Sequence, residues 1–431
     1  MHSKFLFFIL LTIVITGCSV ISDIFAPLPT LPATISLPTR VSQSIHTSTT
    51  PEPTGSPDVQ QSSIPTPTPK PIHTEQPPAT PSPTIPTIIR LVPQNFPDYA
   101  NPLTGLIIED PNLTNRKPVI VKISNYPHSV RPQWGLSLAD HAYEYYLEDG
   151  LTRFAAVFFS NDASQVGPIR SGRIFDATLL QMYNGIMVFN GADKKVVDYF
   201  KELNLNNSLV VERPGITPLW RDLSLPVPHN LFGDTAAISA YVTERGSNNE
   251  RPDLVTNSFY SLGNYGSEWA LQVYVRYSYA NYAYWEYDPD SNRYFRYQGN
   301  VDNLNNNPSY ELLTDSLTKR AISADNVIVL FVPHEFYYRS SDTEIFDIKL
   351  INQGDAYIFR DGKGNSAKWV RTDLHKPLTL LDTSGNLFPL KPGITFFQII
   401  HTDSTLKQDN SNWTFDFVRP TPTLEEGDSN Q

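Results

Sequence analysis

Between Ser19 and Gln94 the chain is dominated by proline, threonine and serine, as in Pro65-Thr66-Pro67-Thr68-Pro69 and Pro77-Pro78-Ala79-Thr80-Pro81. Such a stretch has too little apolar surface to offset the entropy of ordering it. It is expected to be a disordered, semi-extended tether, at most on the order of 200 Å long at polyproline spacing. The polar, acidic residues 419–431 read as a second disordered stretch. Whatever folds must therefore lie within about residues 95–418. With 22 Tyr and 23 Phe in the chain, that part has the apolar bulk for a sizeable core.

Ahead of the tether, residues 5–15 form an apolar run broken only by Thr12 and ending in Ile15-Thr16-Gly17-Cys18. The run is too short for a comfortable membrane span. Small residues before a cysteine at the end of such a core resemble a bacterial lipobox. The resemblance implies a signal peptide over residues 1–18, cleavage before Cys18, and lipid on that residue. Multiple acyl chains would hold the protein on a membrane stably, at the outer face of the cytoplasmic membrane. Cys18 is the single cysteine of 431 residues, so no internal disulfide can form. A formal net charge of −11 argues against nucleic acid as a partner.

The folded part changes grain near residue 262. Before it, strands and helices mix. Residues 118–123 read as a buried strand, and 142–147 and 153–159 as two more joined by a tight turn at 148–151. Residues 171–182 carry a helical apolar face with Ser171 as N-cap, 185–189 a strand, 193–203 a helix, and Asp234 caps a helix over 235–245. After it, nearly all signals are strands. Residues 272–287 form one long alternating, Tyr-rich run, and short segments follow at 293–297, 327–332, 346–351, 357–360, 368–371, 378–381, 395–400 and 413–418. This spacing suggests a β-sandwich or open barrel. The expected architecture is an α+β domain over residues 95–262, followed by a mainly antiparallel all-β domain over 263–418.

The chemistry is sparse. Histidines and carboxylates never fall at metal-ligand spacing, and a phosphate loop and a nucleophile elbow are both missing. No cofactor or metal is expected. What stands out is charge. Glu144 and Glu148 are four apart, which on a strand places them on one side. Arg153 follows across the turn. Arg170, Ser171 and Arg173 bracket a helix start, where free N–H groups favour anions. Arg221-Asp222 and Pro228-His229-Asn230 lie in a proline-rich loop suited to the wall of a polar cleft. A buried ion-pair network accounts for these residues about as well as a ligand site does. The stripe Tyr274, Tyr277, Tyr279, Tyr282, Tyr284 and Tyr287 fits strand packing with wet hydroxyls better than sugar stacking.

Several of these motifs resemble the YerB-like bacterial lipoproteins. They are Asn101-Pro102-Leu103-Thr104-Gly105, Arg131-Pro132-Gln133-Trp134-Gly135-Leu136, Ala139-Asp140 with Tyr143-Glu144, and Asp149-Gly150-Leu151-Thr152-Arg153-Phe154. To them add Gly167-Pro168-Ile169-Arg170-Ser171-Gly172-Arg173 and Arg221-Asp222 with Pro228-His229-Asn230. Trp285-Glu286-Tyr287-Asp288, Tyr294-Phe295-Arg296, Asn326-Val327-Ile328-Val329 and Lys391-Pro392-Gly393 are similar to the family's C-terminal domain. The likeness spans about residues 101–400 and implies a lipid-anchored, exported protein of two domains whose functions are unknown. Two places depart from it, Gly191-Ala192-Asp193 and Ala367-Lys368-Trp369.

Two functions compete. One is a non-catalytic envelope module that binds an anionic cell-wall glycan, a peptide or an envelope protein through an Arg/Glu-lined cleft. The other is a wall-directed hydrolase or transferase with Glu148 as acid/base and His229 as helper. The first is favoured, because no activated nucleophile is identifiable.

Overall fold

The computed structural model describes residues 89–421, apart from 264 and 267. The lipobox cysteine, nearly all of the expected tether and the end of the tail lie outside the described residues. The chain joins the fold earlier than expected, because β1 (Arg90–Leu91) already pairs with a strand far along the chain. A one-turn helix α1 (Pro111–Thr114) and the central strand β2 (Val119–Ser124) follow. Next come the hairpin β3 (His141–Tyr146) and β4 (Thr152–Phe158), helix α2 (Ile174–Tyr183), β5 (Ile186–Phe189), helix α3 (Lys194–Glu202) and β6 (Leu209–Val211). A small hairpin, β7 (Leu219–Arg221) and β8 (Leu231–Gly233), leads to helix α4 (Thr235–Glu244).

The rest is strand. The order is β9 (Ser258–Tyr260), β10 (Glu268–Trp269), β11 (Gln272–Arg276), β12 (Tyr282–Asp288), β13 (Arg293–Gly299), β14 (Tyr310–Leu312) and β15 (Ser323–Ala324). Then come β16 (Asn326–Val332), β17 (His334–Arg339), β18 (Glu344–Ile348), β19 (Asn352–Arg360) and β20 (Lys363–Arg371). The last five are β21 (Thr379–Asp382), β22 (Pro389–Leu390), β23 (Thr395–His401), β24 (Thr405–Asp409) and β25 (Asn412–Asp416). The α+β first half and β-rich second half match the sequence reading. The hairpin at 148–151 and the Asp234 cap, whose carboxylate accepts from the Ala237 N–H, match it too.

Two expectations fail for local reasons. The Tyr-rich run 272–287 is two strands, because Ser278 folds the chain back: its hydroxyl accepts the N–H groups of Ala280 and Asn281 at 3.0 and 3.1 Å. Alternation continued through the turn and hid it. Ser171 is not the N-cap of α2; Arg173 is, and its N–H is taken by the Asp176 carboxylate at 2.7 Å.

An eleven-stranded sheet runs β10-β20-β19-β16-β23-β3-β4-β2-β5-β6, with β21 beside β20. It draws strands from both sides of residue 262. The junction is β23, which pairs in parallel with β16 on one side and β3 on the other. Five of the first half's strands thus share a ladder with six of the second's. A seven-stranded sheet, β14-β13-β12-β11-β25-β24 with β15 on β13, packs on one face. Val273, Trp285, Tyr294 and Phe415 from it share a core with Val327, Phe359 and Phe396 from the wide sheet. The second half therefore packs sheet on sheet, but the wide sheet is shared with the first half. On the opposite face α2 and α3 cover Ile120, Tyr143, Tyr145, Val157 and Met187.

Candidate functional site

Glu144 and Glu148 do not share a face. The strand β3 ends at Tyr146, and Asp149 and Gly150 turn the chain with φ of 54° and 77°. Strand alternation therefore stops applying before Glu148. Glu144 points into the core between the sheets. Its carboxylate meets Arg296 at 2.6 Å and accepts from Asn125 at 2.9 Å and Thr152 at 2.8 Å. Gln398, with its amide turned to suit, donates to Glu144 at 2.9 Å and accepts from Arg296 at 2.9 Å. The guanidinium also lies 5.1 to 5.3 Å from the ring centroids of Phe154, Trp285 and Phe396. Both charges are sealed from solvent, and this network joins the two sheets.

A second cluster occupies the α2 face of the wide sheet. Lys122 on β2 is wholly buried, 3.1 Å from Asp176 on α2 and 3.7 Å from the Tyr145 ring centroid. Tyr145 donates its hydroxyl to the same Asp176 oxygen. Burial pushes the Lys122 amine down to about 7, with Arg153 and Arg173 adding to the push and Asp176 opposing it. Arg153 on β4 donates to the Ser171 carbonyl at 2.7 Å. Arg173 grips Glu148 through two nitrogens, with Nε at 3.0 Å from Oε2. Burial pushes the Glu148 carboxyl up, but Arg173, with Arg153 and Lys122 behind it, outweighs burial and holds the group below its ordinary value.

The segment 167–173 is what gathers these groups. It wedges between the carboxyl ends of the parallel strands β2 and β5. The Arg170 N–H donates to the Lys122 carbonyl at 3.0 Å, and the Asn190 N–H donates to the Arg170 carbonyl at 3.0 Å. On the other side the Ile169 N–H reaches the Leu231 carbonyl of β8 at 2.7 Å. The β7–β8 hairpin is thereby fixed beside the wedge. Arg170 donates to the Pro228 carbonyl at 3.2 Å, and the neighbouring His229 feels both Arg170 and Arg153. Burial, then those two cations, push the His229 imidazole below its ordinary value. Burial and Arg173 likewise lower Arg170, and burial with Arg173 brings Arg153 to about 9.

The sign of the charge is decided by counting. Arg153, Arg170 and Arg173 stand with Lys122, which is only partly charged near neutrality, against two carboxylates, Glu148 and Asp176, so cations are in excess. Two buried nitrogens of the group, Arg170 Nε and His229 Nδ1, have no hydrogen-bond partner. Crevices at the carboxyl ends of parallel strands are a recurrent ligand position.

The remaining candidates serve the hairpin. Arg221 bonds Glu212 at 3.2 Å and Asn230 at 2.8 Å, and Asn230 returns to the Asp222 carbonyl at 3.1 Å. The Asp222 carboxylate closes a turn on the Ser224 N–H at 2.9 Å and hydroxyl at 2.6 Å. An open cleft of about 580 Å³ on the far side of Glu148 is lined by Ser171 and Arg173 but also by Asp149, Asp193, Asp342 and Glu344. Its second arginine, Arg419, is bonded to Glu344. The cleft is thus acidic, with both arginines neutralised, and the cation excess lies instead at Arg170 and Arg153, beside His229.

Sequence reasoning missed Lys122, Tyr145, Asp176 and Arg296. A lysine inside the apolar run Val119-Ile120-Val121-Lys122-Ile123 was the readable signal, since such a charge is rarely buried unpaired. Among the described residues no group of three or more His, Asp, Glu or Cys side chains is placed to hold a metal ion. No helix among them is long and apolar enough to cross a membrane.

Comparison with known proteins adds family but little chemistry. Residues 103–248 match the model described as "Protein of unknown function (DUF3048) N-terminal domain", and residues 273–397 match its C-terminal domain. A Bacillus subtilis (strain 168) protein named "Putative lipoprotein YerB" is 28% identical over 322 residues, covering 72% of this chain and 88% of that protein. The crystal structure of YerB protein from Bacillus subtilis superposes with a TM-score of 0.58 at 26% identity, covering 70% of this chain and 97% of that one.

Proposed function

From a chain that belongs to the family of the DUF3048 N- and C-terminal domains, similar to a protein named a lipoprotein, we propose a non-catalytic envelope module that binds an anionic group at the Arg170–His229 wedge. Lipid on Cys18 would hold it at the outer face of the cytoplasmic membrane. The observation that carries the reading is the pair of partnerless buried nitrogens, Arg170 Nε and His229 Nδ1, within a cluster where three arginines and a partly charged lysine face two carboxylates. Buried donors without acceptors are costly, and an anion's oxygens would satisfy them. The ligand would be an acidic glycan, an acidic peptide or a carboxylate-bearing face of an envelope protein. Binding is preferred to catalysis because Glu148 is held ionised by Arg173 with both oxygens engaged, which suits a wall and not a general acid.

Sulfate titration by calorimetry tests this, since sulfate stays a dianion throughout the neutral range. The wild-type chain should bind sulfate, and Arg170→Ala should weaken it about tenfold or more, the worth of one charge-assisted hydrogen bond. Equal sulfate affinity in wild type and Arg170→Ala would sink the reading.

A further inference from the structure

A second site lies on the β-rich half, away from the wedge. The outward face of the seven-stranded sheet carries Gln272, Tyr274 and Arg276 along β11, in register with Glu286 and Tyr284 on β12 and with Asn412 and Thr414 on β25. Two hollows lie on this face. One, of about 470 Å³, is walled by Trp269, Gln272, Glu286, Tyr287 and Asn412. The other, of about 300 Å³, is walled by Tyr274, Arg276, Tyr310 and Thr414. Together they span β11 from Gln272 to Arg276, four residue steps or roughly 13 Å at strand rise. A third hollow of about 500 Å³ shares Trp269 and Leu271 with the first. Hollows in line along one strand suit a linear ligand.

The lining selects its chemistry. Trp269 is 56% exposed, a large apolar ring kept in water. It is not loose: its carbonyl accepts from the Trp413 indole at 2.9 Å, and the Lys363 amine lies 3.6 Å from its ring centroid. Tyr287, next to Glu286 on β12, turns to the inner face, where it packs against the inter-sheet core and against Gly362, at which a Cβ would come within 2.7 Å of the phenol ring. Beside the indole the polar groups are already oriented. Tyr274 donates to Gln272 at 2.7 Å, and Gln272 donates to Glu286 at 3.2 Å. Charge does not choose the ligand, because Arg276 is opposed by Asp416 at 3.5 Å and Lys363 is spent on the indole. The tyrosine row itself is closed to stacking. Tyr274, Tyr284 and Tyr297 stack on one another at 5.0 and 4.7 Å and offer edges and hydroxyls only.

We propose that this face binds a linear, uncharged polysaccharide, with a pyranose ring against Trp269 and sugar hydroxyls on Gln272, Glu286 and Tyr274. Fixed aromatic rings cover the apolar faces of such sugars at little entropy cost, and planar amide and carboxylate groups take their hydroxyls. Trp269 and Asn412 fall outside the segments matched by the family models, so the site is a property argued for this chain alone.

The full-length chain titrated with chitohexaose by calorimetry tests it. Wild type should bind; Trp269→Ala should lose at least tenfold in affinity, Trp269→Phe should keep most of it, and Arg170→Ala should change nothing. Thermal melting of each variant separates lost binding from lost folding. The proposal fails if wild type gives no binding heat with millimolar chitohexaose, or if a folded Trp269→Ala binds as tightly as wild type. It fails equally if Trp269→Ala instead abolishes capture of an envelope protein while no oligosaccharide binds.

Discussion

Glu144 and Glu148 stand four residues apart and each meets an arginine, yet they belong to different kinds of site. Around Glu144 every oxygen has a donor, and the partner Arg296 is fully buried. Around Glu148 the pair is partly exposed, with side chains 19% and 24% accessible, and it borders cations that outnumber the carboxylates. Closure is the difference. A charge network whose members are all satisfied can only hold structure, whereas one with spare donors and a solvent edge can accept something more. The same residue types therefore say little until their pairing is known.

The sharpest way to break this contrast is to open the closed network. Arg296→Met should leave Glu144 as an uncompensated buried charge and cost about 3–5 kcal/mol of stability by chemical denaturation. Adding Glu144→Gln to it should recover part of that loss, because breaking the pair is worse than removing it. If Arg296→Met melts like wild type, the network is not what joins the sheets. Arg170→Ala should behave in the opposite way. Arg170 is partly exposed and makes one side-chain hydrogen bond, to Pro228, so stability should fall by only about 0.5–1.5 kcal/mol while sulfate binding drops about tenfold. A large fall in stability without loss of sulfate binding would make the wedge structural as well.

Lys122 gives the contrast a pH axis. Its folded value of about 7 lies below its ordinary 10.5, so above pH 7 the unfolded chain binds more protons than the folded one. Stability from this group should rise with pH across the window from about 7 to 10.5 and level off at both ends. Comparing wild type with the double variant Lys122→Met, Asp176→Asn by denaturant unfolding at pH 7 and pH 9.5 isolates that slope, which the variant should lack. An unchanged slope would mean that Lys122 is not desolvated as described.

The elements were largely legible because the apolar periods are local. Strands β2 to β5 and helices α2 to α4 lie within a few residues of where the pattern places them. The partner of each charge was not legible, because it is set by sheet order. Arg296 reaches Glu144 across 152 residues of sequence through β23, a strand inserted beside β3 from near the chain's end. Nothing local in Thr395–His401 encodes that insertion. The β11–β12 turn was hidden for the opposite reason, since Tyr277 to Asn281 keep the composition of the strands around them. The wedge was half legible. Its glycines and arginines were visible as a motif, but the buried pair that sets its net charge, Lys122 with Asp176, was not, because alternation alone assigns Lys122 to an apolar strand.

The smallest effect is also the most specific to the open cluster. His229 sits below its ordinary value because it is partly buried beside Arg170 and Arg153. An anion bound there would offset those two cations and favour the imidazolium, so binding and proton uptake must be linked with the same sign. Sulfate affinity should therefore rise as pH falls from 7.5 toward 5.5, by about twofold to fivefold for a single partially titrating group. In His229→Ala the slope should flatten while the Arg170 dependence persists. A wild-type affinity independent of pH would place the anion beyond reach of the imidazole and confine the site to the arginines, which would sharpen the map of the wedge and leave the closed network untouched.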